Sequence, residues 1–426
     1  MTNAGLDVGA NWSGTYDYTA KRVHHPTTLD EVQEIVSRSP RVRPLGTRHS
    51  FNDLADSDGE LISLVDFDSA MTIDPDAHTV VVGGGVRYGV LASYLQQHGY
   101  ALHNMGSLPH ISVAGAISTS THGSGSANGS LSTSVSGLEI VSGRGEVITA
   151  TRKDSDFDAM VVSLGALGVI TRVTIDIQPT FNARQDLYDD LPWDALLADF
   201  GAVMSSAYSV SLFTDWLGDS IQCLWIKTRL ERGEPTTVPD ALFGANRAPI
   251  VATRVLFDGA IDHDNMTARG GVVGPWSERL PHFRLDSTPS NGDEIQTEFL
   301  VDIADAADAL RAVRALGEQI APHLHVTELR TVAGDSLWLS PAYGRDSLCI
   351  HFTWKNEPDA VAALVPLIES ALAPFDPRPH WGKWFTLDAS TLAPKYERLG
   401  DFAAIADRLD PDRQFRNGYL ERVLGL

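Results

Sequence analysis

The spacing of apolar residues in the first third of the chain predicts short strands that alternate with helices. In residues 27–38, Val32, Ile35 and Val36 fall on one helical stripe, behind threonines that can cap the first turn and acidic residues that favour it. Other apolar runs bounded by turn residues predict strands at residues 42–46, 59–68, 78–82, 135–143 and 146–150. A triple-glycine turn then leads into a helix that ends at Gly99, and a helix–glycine–strand unit occupies residues 155–179.

Beyond about residue 180 the apolar segments become longer. Strands are predicted at residues 211–217, 221–230, 297–303, 325–332 and 348–354, and amphipathic helices at 305–320 and 359–373. This order favours an antiparallel sheet with helices packed against one face, and hence an α+β fold. We expect domains at residues 1–180 and 181–375, followed by a turn-rich segment at 376–426 that returns to the first domain.

Polar residues recur at every second position in several of these segments. Because side chains alternate between the two faces of a strand, Glu328 and Arg330 share one face, as do His351 and Thr353 on the next strand. The same parity places Lys383 on the face of the tryptophan two positions before it. These faces are candidates for a binding site, although Glu328 and Arg330 could equally form a surface ion pair that contributes little.

Composition narrows the classes of function. The 426 residues are 43% hydrophobic and 21% charged, which is typical of a globular protein, and the net charge is −22 with no basic run. Nucleic acid and an anionic membrane surface are therefore not expected partners. Two distant cysteines, without zinc-ligand spacing, argue against a disulfide scaffold and a metal site. Neither a signal peptide nor a spanning apolar run is recognisable, so we expect a cytoplasmic protein.

Glycine-rich loops in the first third suggest a phosphate-bearing cofactor. Residues 44–50, residues 113–125 and the turn from Gly165 to Gly168 offer backbone N–H groups and small hydroxyls at close range. None has the Gly-Lys-Ser/Thr of a Walker A loop, and GGGVRYG does not match the dinucleotide fingerprint. The cofactor would then be bound by loops outside a Rossmann fold; the alternative is that these glycines only form tight turns.

Three of these motifs together resemble a known family. Residues 44–52 (PLGTRHSFN), 106–115 (GSLPHISVAG) and 121–123 (THG) are similar to the flavin domain of the vanillyl-alcohol oxidase superfamily. HWGK at residues 380–383 and the tail DPDRQFRNGYL at 410–420 resemble its sugar-oxidising branch, in particular the members that oxidise alditols. The likeness runs from Asn11 to the C-terminus. It implies a two-domain flavoprotein oxidase, with a PCMH-type FAD-binding domain and a substrate-binding cap domain, whose C-terminal segment completes the active site.

The resemblance implies FAD, attached covalently to His49, the histidine of the Gly-Thr-Arg-His-Ser loop. A neutral imidazole is a suitable nucleophile, although a loop histidine could also merely donate a hydrogen bond. Doubly linked relatives have a cysteine near the second loop; none is present here, which implies a single linkage. The other positions that match cofactor-binding motifs are Pro44, Leu45, Gly46, Thr47, Arg48, Ser50, Ser107, Ser112, Gly115, Thr119, Ser120, Thr121, His122, Ile170 and His380.

The resemblance also implies a polyol substrate of the xylitol or sorbitol type, oxidised at its terminal primary alcohol by hydride transfer to flavin N5. The matching substrate-binding positions are Ser107, Glu328, Arg330, Thr353 and Lys383, with Lys383, Arg330 and His351 as the catalytic candidates. Lys383 either stabilises the developing alkoxide as a cation or takes its proton as a base. Gly106 matches a position where a small residue gives O₂ access to the flavin, which implies an oxidase that produces H₂O₂.

Three other functions remain open. The first is an aldono-1,4-lactone oxidase or dehydrogenase of the same branch, which shares HWGK and the Glu-x-Arg pattern. The second is a sugar-binding protein without turnover, and the third is a flavin reductase supplied by a nicotinamide. The expected partners are a small polyol and O₂, and we expect a monomer.

Overall fold

The computed structural model describes residues 8–230, 238–248, 265–287 and 292–426. The strands are β1 Arg22–His24, β2 Val42–Leu45, β3 Glu60–Ser63, β4 Met71–Asp74, β5 Thr79–Gly83, β6 Tyr100–Ala101, β7 Val135–Val141, β8 Val147–Thr151, β9 Val169–Asp176, β10 Gln178–Pro179, β11 Asn182–Pro192, β12 Ser209–Thr214, β13 Ser220–Leu230, β14 Ala241–Leu242, β15 Ala245–Arg247, β16 Gly274–Pro275, β17 Glu294–Asp302, β18 Leu324–Val332, β19 Ser347–Lys355 and β20 Arg378–Pro379. The α-helices are α1 Leu29–Arg38, α2 Tyr88–Gln97, α3 Val113–Ser118, α4 Phe157–Val161, α5 Trp193–Ala198, α6 Phe200–Met204, α7 Ala306–Arg314, α8 Gly317–Ile320, α9 Pro358–Leu372, α10 Ala389–Leu392, α11 Leu399–Leu409 and α12 Gly418–Leu424.

The first third contains two small sheets. Strands β1, β3 and β2 form a parallel sheet, and β4, β5, β9, β7 and β8 form an antiparallel one. Helix α1 begins where the sequence predicts, because Thr28 and Glu31 form a reciprocal capping box. Its buried stripe of Val32, Ile35 and Val36 packs into a cluster with residues of β2, as the apolar spacing indicates.

Strands β6 and β10 form a two-stranded antiparallel sheet, and the remaining strands form one large antiparallel sheet, in the order β14-β15-β11-β13-β12-β18-β19-β17-β20, with β16 paired to β11. Leu329 of β18 pairs with Ile350 of β19, which pairs with Phe299 of β17, so these apolar side chains share a face. Buried residues of α5, α6, α7 and α9 join the same apolar cluster. The predicted antiparallel sheet with helices on one face is confirmed. The opposite face of this sheet is not covered by these helices and is available for a binding site.

The tail differs from the sequence prediction. It is not mainly turns but contains α10, α11 and α12, and its helices share an apolar cluster with residues of the first third. Phe402, Ile405 and Leu409 have the spacing of a helix, but the many turn-forming residues around them favour a prediction of turns. The extended interpretation of residues 380–384 is also wrong. This segment is a turn, so Trp381 is buried in the apolar cluster while Lys383 reaches a cavity.

Helix α9 and the turn after it, Pro358–Phe375, are long and apolar enough to cross a membrane by length and composition. In the structure this helix contributes Val361, Val365 and Ile368 to the cluster on the large sheet. The segment therefore serves as a covering helix of that sheet, and its apolar character is explained by this packing.

Candidate active site

A cavity of about 600 Å³ lies between the glycine-rich loops of the first third and the face of the large sheet without helices. Its lining includes these predicted positions: Pro44, Leu45, Gly46, Thr47, Arg48, His49, Ser50, Gly106, Ser107, Ser112, Gly115, Thr119, Thr121, His122, Ile170, Glu328, Arg330, His351, Thr353, His380 and Lys383. Ser120 is the exception, because its Oγ lies 3.2 Å from Ser340 Oγ and the residue does not line the cavity. The structure thus brings the cofactor-binding candidates of the first third and the substrate-binding candidates of the large sheet and the tail together around one cavity.

The turn that carries His49 is held in an unusual backbone conformation. Arg48, the preceding residue, has φ 65°, and its guanidinium donates to the carbonyl oxygens of Val8 and Ala10. The His49 ring lies 5.1 Å from the ring of Trp12, and its buried Nδ1 has no hydrogen-bond partner among the described residues. Burial, followed by the charge of Lys383, lowers the pKa of His49 to about 3, so the imidazole is neutral near pH 7.

Next to this turn, two loops approach each other closely at Gly46. A Cβ on Gly46 would lie 2.9 Å from Ser112 Oγ and 3.6 Å from Gly115 Cα. The Ser112 N–H donates to Thr47 Oγ1 at 3.2 Å. The loops therefore present bare backbone and hydroxyls to the cavity, and with the unpaired Nδ1 of His49 these residues fit a large phosphate-bearing cofactor such as FAD.

On the opposite wall, adjacent strands align polar residues in rows. Glu328 of β18 is in register with His351 of β19, which is in register with Glu298 of β17. In the neighbouring row, Thr353 pairs with Gln296. All five side chains line the cavity, so the strand parity that predicted two polar faces extends to a third strand.

Arg330 connects this wall by three contacts. Its Nη2 donates to Glu298 Oε1 at 2.7 Å, its Nε lies 3.7 Å from Glu328 Oε2, and its Nη1 donates to Ser107 Oγ at 3.5 Å. Glu328 is 7% and Arg330 6% exposed, which rules out the surface ion pair. Burial opposes ionisation of Glu328, but Arg330, His282 and His351 together outweigh it and hold the pKa of this carboxyl well below its usual range.

Glu298 is the centre of the network, and it was not singled out from the sequence. Besides Arg330, it contacts His122 Nε2 and His351 Nδ1, each at 3.3 Å. Burial would raise the pKa of Glu298, but Arg330 and the two histidines together hold it well below its usual range. Burial lowers the pKa of His351, so this ring is neutral and bridges Glu298 to Thr353, whose Oγ1 lies 3.3 Å from His351 Nε2.

His122 adds a second buried cation. Burial disfavours its charged form, but Cys349 and Glu298 raise the pKa of His122 to about 10. Ligand atoms of His122, Glu298 and Cys349 lie within 4.8 Å of one another and could hold a metal ion. The Arg330 guanidinium already neutralises this carboxylate and opposes a further cation there, so the group is better described as a buried ion-pair network.

Lys383 reaches the cavity from the tail. Its Nζ donates to Gln296 Oε1 and lies 4.9 Å from the centre of the Phe51 ring. Asn52 supports this turn, because its Nδ2 donates to the carbonyl oxygens of Trp381 at 2.8 Å and of Lys383 at 2.7 Å. Burial lowers the pKa of Lys383 to about 8, with Glu298 opposing the shift. The side chain therefore remains mostly protonated near pH 7.

The alternation of polar residues along β17 would have identified Glu298 from the sequence. In EIQTEFLVD (residues 294–302), Glu294, Gln296 and Glu298 alternate with apolar or hydroxyl residues, which is the pattern used for β18 and β19. His282 and Lys227 also approach the site, but neither lies in a pattern of alternating polar residues that the sequence makes visible.

Comparison with known proteins identifies the family. The pattern of the FAD binding domain matches residues 20–151, and that of D-arabinono-1,4-lactone oxidase matches residues 291–423. The chain is 45% identical to alditol oxidase from a Streptomyces species, over 97% of this chain and 98% of the relative. It is 28% identical to L-gulono-1,4-lactone dehydrogenase from Mycobacterium tuberculosis, over 98% and 99% of the two chains.

The fold has a counterpart among solved structures. Cholesterol oxidase from B. sterolicum superposes with a TM-score of 0.77 at 16% identity, covering 100% of this chain and 98% of the other. This likeness concerns the fold alone, and it confirms the predicted α+β class with FAD-binding and cap domains. Given the 45% identity over nearly the whole chain, the protein belongs to the alditol oxidase family of FAD-dependent oxidoreductases.

Proposed function

We propose that this protein oxidises the terminal primary alcohol of alditols such as xylitol or sorbitol to the aldose, with O₂ as the final acceptor and H₂O₂ as the second product. The observation that carries this proposal is the row of Glu328, His351 and Glu298 facing the His49 loop across one cavity, in a chain of the alditol oxidase family. FAD, when bound, accepts the hydride from the alcohol carbon.

The polar wall suits a neutral polyol. Glu328 accepts hydrogen bonds, Arg330 donates them, and the hydroxyls of Ser107 and Thr353 do both, as each substrate hydroxyl does. Arg330 lies between two carboxylates, so this part of the wall offers no excess positive charge for a carboxylate substrate. We assign substrate binding to these four residues.

Lys383 is assigned the stabilisation of the alkoxide. An alcohol must lose its hydroxyl proton as its carbon loses a hydride, and a nearby cation favours the negative charge that develops on oxygen. The pKa of Lys383, lowered to about 8 mainly by burial, keeps this cation available near pH 7. His351 is neutral, and with its Nδ1 facing Glu298 its Nε2 is free to act as an acceptor, so we assign it to taking the hydroxyl proton of the alcohol.

FAD is proposed to be attached covalently through His49 by a single linkage. The neutral imidazole and its buried, unpaired Nδ1 support this assignment. Flavin fluorescence should stay with the denatured protein on a gel, and His49→Ala should release it. His103→Ala is the matched control, because this half-buried histidine does not line the cavity. Release of all flavin from the denatured wild type would refute the linkage.

The substrate is tested by anaerobic reduction. Xylitol or sorbitol should bleach the flavin absorbance of the purified protein, whereas Thr353→Val, which removes one hydroxyl from the wall, should require more substrate. A lactone substrate is the second candidate, supported by the match of residues 291–423 to D-arabinono-1,4-lactone oxidase. Faster bleaching by an aldono-1,4-lactone than by any alditol would establish that alternative.

The proposal also covers the electron acceptor, the oligomeric state and the cellular location of the protein. Gly106 lines the cavity without a side chain, which supports access of O₂, and stoichiometric H₂O₂ per alditol would be the expected result. We propose that the protein is cytoplasmic, since both cysteines are buried and unpaired, and separately that it is a monomer. Light scattering of the holoenzyme and cell fractionation test these two assignments.

A further inference from the structure

A buried lysine lies behind the substrate wall and has no role in the chemistry described above. Lys227 of β13 is 1% exposed, and its Nζ donates to the carbonyl oxygen of Leu280. The same Nζ lies 3.2 Å from His282 Nδ1, and His282 Nε2 lies 2.8 Å from Glu328 Oε1. Lys227, His282 and Glu328 therefore form a chain of hydrogen bonds that ends on a substrate-binding carboxylate.

This order of groups fixes the tautomer of the histidine. Burial, followed by the charge of Lys227, lowers the pKa of His282 to about 4, so the ring carries one proton near pH 7. The Glu328 carboxylate can only accept, so the proton must lie on Nε2, and Nδ1 then accepts from Nζ of Lys227, which has an N–H to donate whether it is charged or neutral. Nε2–H then donates to the Glu328 carboxylate, which can only accept.

The backbone of the segment that carries His282 also binds Ser107, another of the proposed substrate-binding residues. The N–H groups of His282 and Phe283 donate to the carbonyl oxygen of Ser107 at 3.1 and 3.2 Å. The His282 ring is confined by Trp225 and Phe213, whose ring centres lie 4.8 and 6.1 Å away. One residue thus connects Ser107 through its backbone and Glu328 through its side chain.

We propose that His282, held in its Nε2–H tautomer by Lys227, is a positioning residue that fixes Glu328 relative to Ser107 and thereby sets the affinity for the polyol. The inference rests on the proposed function, because it assigns His282 and Lys227 to the same site. Neither residue is required for the hydride step, so their loss should weaken substrate binding and leave the limiting rate of reduction nearly unchanged.

Anaerobic stopped flow separates these two quantities. His282→Phe keeps the ring volume but removes the donor, and the Kd for xylitol should rise about tenfold to hundredfold, as expected for losing a hydrogen bond to a charged group. His282→Gln restores an N–H and should recover part of the affinity. Lys227→Met should raise the Kd in the same direction. His325→Phe, on β18 but outside the cavity, is the matched control and should bind xylitol like the wild type.

An unchanged Kd in FAD-loaded His282→Phe, or a loss confined to the limiting rate, would overturn the positioning role. The tautomer is tested without turnover by ¹⁵N NMR of histidine-labelled holoenzyme, with His282 assigned by its missing signal in His282→Phe. An Nδ1–H signal in the wild type would overturn the proposal even if variants fold poorly. Failure of every alditol to reduce the wild type would refute the proposed function, whereas the NMR result reports on the Lys227–His282 geometry alone.

Discussion

Lys383 allows the sharpest test of the chemistry, because its two possible roles predict opposite pH dependences. As the cation that stabilises the alkoxide it must be protonated, so the rate of flavin reduction should fall as pH rises through its pKa. As a base it must be neutral, so the rate should rise through the same pKa. The structure favours the first role, since Lys383 Nζ lies among Gln296, Glu298 and the Phe51 ring, which favour a cation.

The size of the effect follows from the pKa of about 8, lowered mainly by burial. Such a group is about 90% protonated at pH 7 and about 10% at pH 9, so the limiting rate should fall about tenfold across this range. Lys383→Met should be slower by about 10²–10³-fold at pH 7, the usual cost of losing one donor to a developing oxyanion, and should lose the pH dependence.

The assay is the limiting rate of anaerobic flavin reduction at saturating xylitol from pH 6.5 to 9.5 (a range set by the pKa of about 8). Saturation matters because burial also lowers the pKa of Lys227, to about 7, and its titration should affect the Kd. The pKa values of His49 and His351 are lowered by burial, so neither ring titrates in this window. A rate that rises with pH in the wild type but not in Lys383→Met would refute the cation assignment.

Three further outcomes are expected. Gly106→Ala should slow reoxidation by O₂ and leave reduction by xylitol unchanged, because the added Cβ would meet protein atoms only at 3.6 Å or more; stopped flow in both half-reactions checks this. Asn52→Ala should lower the limiting rate of reduction and the melting temperature, since the carbonyl oxygen of Lys383 loses its donor, at about 1–3 kcal/mol, while that of Trp381 keeps the Tyr419 hydroxyl. Glu298→Gln should destabilise the protein by about 3–5 kcal/mol and shift its thermal transition downward, because the amide can still accept from Arg330 but the buried Arg330 and His122 lose the negative charge that they share; an unchanged transition would contradict the ion-pair network.

Elements whose signals are local could be predicted from the sequence. Helix α1 begins at its capping box, and strands β13, β18 and β19 follow their apolar runs, whereas β11 has no such run and was not predicted. Helix α11 was missed although its apolar residues have helical spacing, because aspartate, proline and glycine surround it in the sequence. Its stability comes from packing Phe402 and Ile405 into the apolar cluster, which no local propensity reports.

The residues of the candidate site also divide into those that the sequence could predict and those that it could not. Family motifs and strand parity identified Arg330, Glu328 and Thr353, which the structure places on one wall of the cavity. Glu298 had a periodic signal that parity could have used. His282 had none, because it lies outside the long strands and approaches Lys227 only through the tertiary fold. A contact between residues 55 positions apart, on segments of different type, cannot be inferred from a single sequence.

The charges on the wall also explain why an acidic protein can favour an alkoxide. The whole chain carries a net charge of −22, yet the three carboxylates that line the cavity, Glu294, Glu298 and Glu328, face three cations: Arg330, the protonated His122 and Lys383. Within a cavity of low dielectric, the nearest charges act far more strongly than the distant, solvent-screened surface. Arg330 and His122 both contact Glu298, so their positive charges are largely neutralised by the carboxylates of the wall. Lys383 meets a neutral amide instead, so it is the cation whose field remains available to a substrate oxygen. Lys383 is therefore the cation that can stabilise a negative substrate oxygen, and this is why its protonation, rather than that of Arg330, should control the rate.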